Sequence, residues 1–329
     1  MQRREFITLL GGAAVWPVAA RAQQAAMPVI GFLHVAPRSD EGAILPGFRQ
    51  GLREVGFVEG QNVLIEYRWA ENQNSRLPAL AAELVQRGVQ VIVTGPNLTN
   101  LAAAKAATTV IPIVFMSGPD PVRAGLIASL NRPGGNLTGI TELSAELTAK
   151  RLGLLHDLAP QAATVAMLLD GRPGITGNQN FNFNEAESAG RKVGLRLIDV
   201  RVGAEADFNS ALARAVHEGA GALLVSSSVF LVSHRDEIVA AAAKNGLPAI
   251  YQQREYAVAG GVMSYGADQT DAYRQVGIYT GRILKGAKAG DLPVLQPTKF
   301  ELIINLKTAK ALGLAISNQI QLLADEVIE

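Results

Sequence analysis

Short apolar runs alternate with longer stretches of helical spacing along most of this chain. Val29–Val35, Val89–Val93 and Ile111–Met116 carry few polar positions, as strands covered on both faces of a sheet do. Val63–Tyr67 alternates instead, the mark of a half-buried strand. Between these runs, Leu45, Phe48, Leu52 and Val55 recur at helical spacing and predict a helix over Gly42–Val55 that stops at Gly56. Leu77–Val85 and the alanine-rich Leu98–Ala107 read as two more helices. Strand and helix in this rhythm predict a parallel sheet with helices on both faces.

The turn-rich Asn131–Asn136 interrupts the pattern, and Leu137–Thr141 reads as a connecting strand. The rhythm then restarts. Helices are expected at Ala149–Leu158, Phe183–Val193, Phe208–His217 and Ile238–Ala243, with strands at Val165–Leu169, Leu195–Val200, around Leu223 and Leu224, and at Ala249–Tyr251. Helix–Gly–strand junctions such as Glu54–Phe57 and Lys192–Leu195 recur in both halves, which fits two lobes of one architecture. Val262–Tyr265, Asp271–Leu284, Phe300–Asn305 and Lys307–Leu312 complete the chain as strand, helix, strand and helix. Crossings between lobes are expected near 137–141, 262–265 and 293–299, forming a three-strand hinge. The expected fold is α/β, with two Rossmann-like lobes built on parallel sheets. One lobe is assigned residues 28–138 plus 266–292, the other 139–265 plus 293–329.

The first residues carry an address instead of a fold. Arg3-Arg4 precede a mild apolar run over Thr8–Ala20 and a small-x-small site at Ala20-Arg21-Ala22. Residues 1–22 thus read as a cleavable signal peptide of twin-arginine type, an ordinary secretory signal being the alternative. Cleavage after Ala22 removes three of the 30 basic and one of the 29 acidic residues and leaves a net charge of −1. Such balance gives no footprint for nucleic acid. With no cysteine in the chain, disulfides, thiolate metal sites and an acylated N-terminal cysteine anchor are all excluded. An exported, unanchored chain is expected in a Gram-negative periplasm.

Chemistry is expected where buried strands run out into polar turns, since ligands of open parallel sheets sit at the carboxyl ends of the strands. The strongest case is Ile111–Met116, followed by Ser117, Gly118, Pro119 and then Asp120-Pro121, which predict a helix start. Ser117 and Asp120 are candidate ligand contacts, Asp120 serving an ammonium group or capping its own helix, or both. In the same lobe His34 follows the first strand, and Thr94 and Asn97 flank Gly95. In the other lobe Asp170 ends a strand beside an Asn-rich turn, Asn178–Asn184, with Phe181 and Phe183. Ser226, Ser227 and Ser228 form a nest of hydroxyls, and Tyr251 and Arg254 close the last repeat. Tyr265 and Asp268 lie by a crossing and either touch the solute or brace the hinge. Capping, packing or solvation of strand ends is the competing role for each.

Phe48-Arg-Gln-Gly-Leu-Arg-Glu-Val-Gly-Phe-Val-Glu-Gly60, Glu66-Tyr-Arg-Trp-Ala70, Ile111-Pro-Ile-Val-Phe115, Asp120-Pro-Val122, Pro133-Gly-Gly-Asn-Leu-Thr-Gly139, Ser264-Tyr-Gly266 and Pro297–Lys310 occur here in order. Together they resemble the periplasmic substrate-binding proteins of ABC transporters, in particular the tryptophan- and phenylalanine-binding group. That resemblance spans Pro28–Glu329 and implies a type I periplasmic-binding fold. It further implies capture of a small polar solute, an amino acid or small organic acid, and delivery to an ABC permease in the inner membrane, without a cofactor and as a monomer. A ligand sensor for a membrane kinase is the alternative role. An enzyme is the remote one, since no phosphate-binding loop, nucleophile elbow or dinucleotide fingerprint is present, and His34, His156, His217 and His234 lack the spacing of a metal pair. A two-lobed repressor is excluded because a signal peptide stands where a DNA-binding helix pair would be needed.

Overall fold

A computed structural model describes residues 27–329, except 41, 43, 173–175 and 204–207. The expected signal peptide, residues 1–22, lies outside the described residues. Two sheets organise the chain. The first holds β1 (Val29–His34), β2 (Leu64–Trp69), β3 (Val91–Thr94), β4 (Ile113–Ser117) and β5 (Leu137–Thr141), all parallel, in the order β2-β1-β3-β4-β5. The second holds β6 (Thr164–Asp170), β7 (Arg196–Val202), β8 (Ala222–Val225), β9 (Ala249–Tyr251), β10 (Met263–Ala267), β11 (Phe300–Asn305) and β12 (Glu326–Ile328). Its order is β12-β11-β10-β9-β8-β6-β7, parallel except between β10 and β11. The inner strands β3, β4 and β8 are buried throughout and the edge strands β2 and β7 only partly covered, while the edge strand β5 is buried because Leu295 lies along it.

Helices cover both faces of each sheet. On the first lobe these are α1 (Ile44–Glu54), α2 (Leu77–Gln86) and α3 (Leu98–Ala107); on the second, α4 (Ser144–Leu158), α5 (Thr176–Lys192), α6 (Phe208–His217), α7 (Val229–Ser233), α8 (Arg235–Lys244) and α9 (Arg254–Val258). The next helix, α10 (Gln269–Leu284), returns to the first lobe: Tyr273, Val276, Tyr279 and Ile283 share a core with Ile30, Phe32 and Phe48. It crosses α1 backbone to backbone. A Cβ on Gly51 would fall 1.9 Å from the Arg274 carbonyl oxygen, and one on Gly277 would fall 2.2 Å from that of Phe48. The short α11 (Leu306–Ala311) and α12 (Asn318–Leu323) finish the second lobe. Among the described residues no helix is long and apolar enough to cross a membrane.

The chain passes between lobes after β5, after β10 and through 293–299. Leu295 lies along β5 there, exchanging backbone bonds with Gly139 and Thr141. The predicted strand at Leu137–Thr141 is therefore a full member of the first sheet, and the crossing begins at Glu142, with Leu143 in the left-handed region at φ 47°.

Two local expectations fail for identifiable reasons. No helix follows Asp120: its carboxylate accepts the N–H groups of Val122 and Arg123, but the turn stops at Gly125, which stands at φ +68°. Asn178–Asn184 is not a turn but part of α5, where Phe183 and buried Ala186 pack against the lobe's core and override the turn preference of asparagine.

Candidate functional site

The carboxyl ends of the two sheets face each other across a cavity of about 210 Å³. Residues just beyond the strand ends line it from both sides: His34 and Asn97 from the first lobe, Ser228 and Arg172 from the second, Glu142 and Gln269 at the crossings. Asp170 is fully buried at the end of β6. Its carboxylate accepts both arms of Arg172, Nε at 3.0 Å and Nη2 at 2.9 Å, as well as the Arg172 backbone N–H and the Ser228 hydroxyl at 2.6 Å. A buried carboxylate needs this many donors to remain charged away from water. The third arm of Arg172, Nη1, donates to the Asn72 carbonyl of the other lobe at 2.9 Å, while the guanidinium lies 4.3 Å over the Phe230 ring. Asn72 Nδ2 donates in turn to the Ser233 hydroxyl, and Val229 packs against the first lobe's core. The lobes are thus in contact beside the cavity.

His34 is 1% exposed and lines the cavity. Its Nδ1 accepts the Ala36 N–H at 3.0 Å, so the proton of the neutral ring sits on Nε2, which has no partner. Burial holds the imidazole neutral by lowering its pKa to about 4. Gly95 makes room beside it: a Cβ there would fall 2.7 Å from His34 Nε2 and 2.9 Å from Asn100 Nδ2. The fully buried Asn100 amide and Thr94 hydroxyl are likewise unpartnered. Buried polar groups are ordinarily bonded, so this group of orphans at the ends of β1 and β3 is a concentrated exception. Asn97 caps α3, its Oδ1 accepting from the Asn100 N–H and the Thr99 hydroxyl, and it also lines the cavity.

The other expected residues sit elsewhere. Thr94 and Ser117 are buried behind the lining, the Ser117 hydroxyl donating to the Pro119 carbonyl. Asp120 opens onto an adjoining groove with Arg123 and Phe181. Ser226 donates to Gln179 Oε1, and it is Gln179 that reaches the cavity. Tyr251 stacks on Tyr256 inside the second lobe, its phenol pKa raised by burial. Arg254 grips Glu326 of β12 at an exposed site. Tyr265 stacks on Phe300, and its carbonyl takes the Nε–H of Arg151; Asp268 caps α10. None of these last four lines the cavity.

Several lining residues escaped the sequence reading: Arg172, Gln179, Asn182, Arg235, Glu142 and Gln269. The signal for Glu142 was present, since it directly follows a buried strand; reading that strand as a crossing hid it. Its carboxylate accepts from Gln269 Nε2, and burial raises its pKa. Nearby Arg151 opposes that rise but spends its Nε–H on Tyr265.

A family model described as ABC transporter substrate binding protein matches residues 38–328. The chain belongs to that family. A tyrosine-binding protein of Clostridioides difficile is 26% identical over 269 residues, 82% of this chain and 76% of its own length. Among solved structures, a domain in complex with L-Trp from Streptococcus pneumonia superposes with a TM-score of 0.83 at 24% identity, covering 92% of this chain and 99% of that one. A conserved domain protein from Vibrio cholerae gives the same score, identity and coverage. A ligand-free, open substrate-binding protein from Clostridium difficile gives 0.65 at 22% identity, again over 92% and 99%. These likenesses establish the two-lobed α/β fold of type I periplasmic binding proteins, and the family is one of solute-binding proteins.

Proposed function

We propose that this chain is the solute-binding component of an ABC importer, exported to the periplasm, which closes on an amino acid and hands it to a membrane permease. The observation that carries this reading is the cavity between opposed strand ends, lined from both lobes and bridged beside it by Arg172 to Asn72. A solute held there touches both lobes, so binding and closure are one event. The names of the tyrosine-binding relative and the L-Trp complex support an amino-acid solute. The Arg3-Arg4 start and the Ala20-Arg21-Ala22 site support export.

The test is a thermal-unfolding screen of the purified mature protein against amino acids and small organic acids. A true solute at a hundredfold excess over its Kd adds about 2.7 kcal/mol of stability. A panel without any shift would overturn the reading.

A further inference from the structure

The cavity is electrically lopsided along the sheets. Glu142 follows β5, Gln269 follows β10 and bonds to it, and Glu255 follows β9, the neighbour of β10; these form the hinge wall. His34 at the end of β1 lies three strands from β5, and the Asp170–Arg172 pair at β6 lies three strands from β10 and two from β9, about 10–14 Å at ~4.8 Å per strand. At that far wall the charges cancel within the pair. At the hinge wall two carboxylates, Glu142 and Glu255, stand against one buried cation, Arg151, which acts on Glu142 without pairing with it. Among the described residues neither Glu142 nor Glu255 has a cation within ion-pair distance, and Glu255 Oε2 is buried without any partner. Arg235 lines the cavity too, but its guanidinium bonds the Val232 carbonyl and lies 3.6 Å from Asp236. No Phe, Tyr or Trp is among the described residues of the lining. His34 Nε2, 1% exposed and unpartnered, supplies a neutral donor opposite.

We propose that the solute is a hydrophilic cation of the basic amino acid or aliphatic amine class, its protonated nitrogen seated against Glu142 and Glu255 at the hinge wall. This rests on the solute-binding reading and narrows it. A buried carboxylate oxygen without a partner, as on Glu255, is costly until a cation arrives, so charge recognition is placed at the residues where the lobes join. An acceptor group on the solute, such as a carboxylate, meets the His34 N–H at the far wall. A flat aromatic side chain finds no ring to stack on.

The experiment is calorimetric titration of the full mature protein, stripped of bound solute by unfolding and refolding, with L-lysine, L-arginine, putrescine, L-tryptophan, L-tyrosine and succinate. At least one of the three cationic probes is expected to bind, and more tightly than the aromatic amino acids or succinate. Glu142→Gln and Glu255→Gln should each weaken that probe tenfold or more, without lowering the melting temperature of the unliganded protein. Tighter binding of tryptophan, tyrosine or succinate overturns this inference and leaves the solute-binding reading standing. Cation binding that neither variant weakens overturns the assignment to the hinge wall. Silence from all six probes overturns the inference, and silence across the broad solute panel as well overturns the reading beneath it.

Discussion

Replacing Arg172 by alanine separates two roles carried by one side chain. In the folded protein its fork satisfies a carboxylate of zero exposure, while its remaining arm holds the opposite lobe. Removing one partner of such a pair strands a buried charge and costs about 3–5 kcal/mol. At roughly 2–4 °C per kcal/mol for a lobe of this size, the melting temperature should fall by on the order of 10 °C. Most of that loss belongs to Asp170 and not to the arginine, so Asp170→Asn added to Arg172→Ala should recover much of it, a coupling of about 2 kcal/mol or more in a double-mutant cycle. The lost bond to Asn72 is a separate effect. A charged donor on a backbone carbonyl contributes about 1.5–3 kcal/mol, present only when the lobes are shut, so solute affinity should drop tenfold or more in the rescued double variant too. Urea denaturation followed by calorimetry reads both. A single variant within 1 kcal/mol of the parent, or a second substitution that adds to the damage, would refute the account of the pair.

His34 should make stability pH-dependent. The unfolded ring takes its proton near 6.5 and the buried ring only near pH 4, so the unfolded chain binds more protons in between and stability falls as pH drops through that window. The loss amounts to roughly 3 kcal/mol, and His34→Gln should flatten the slope of unfolding free energy between pH 6.5 and 4; an unchanged slope rules the effect out. Gly51→Ala places a methyl 1.9 Å from the Arg274 carbonyl, and the α1–α10 crossing must open to admit it. Overpacking of this kind costs about 1–3 kcal/mol, seen as a lower melting temperature of the first lobe, whereas Gly203→Ala, which meets nothing within 4 Å, serves as the control.

What the sequence disclosed and what it withheld follow from the range of the interactions involved. Strands such as Ile113–Ser117 and helices such as Leu98–Ala107 announce themselves because their periodicity is a local consequence of burial on a sheet. Asn178–Asn184 misled because a local turn preference yields to the packing of Phe183 and Ala186. The strand-end rule found His34, Asn97, Asp170 and Ser228, yet gave Tyr251 and Arg254 the same weight. Nothing within a few residues of Arg254 reveals that Glu326, 72 positions on, will claim it.

The hinge wall is the sharpest instance, because its chemistry is created by topology alone. Glu142 and Gln269 are separated by 127 residues and become neighbours only because β5 borders one sheet and β10 runs in the other, with the chain crossing beside both. An unpartnered carboxylate oxygen at this wall, as on Glu255, penalises an empty closed state more than an empty open one, since closing strips its water without supplying a cation. Selectivity for charge and the tendency to stay open without a solute then arise from the same oxygen atoms, and a substitution that removes the first must weaken the second.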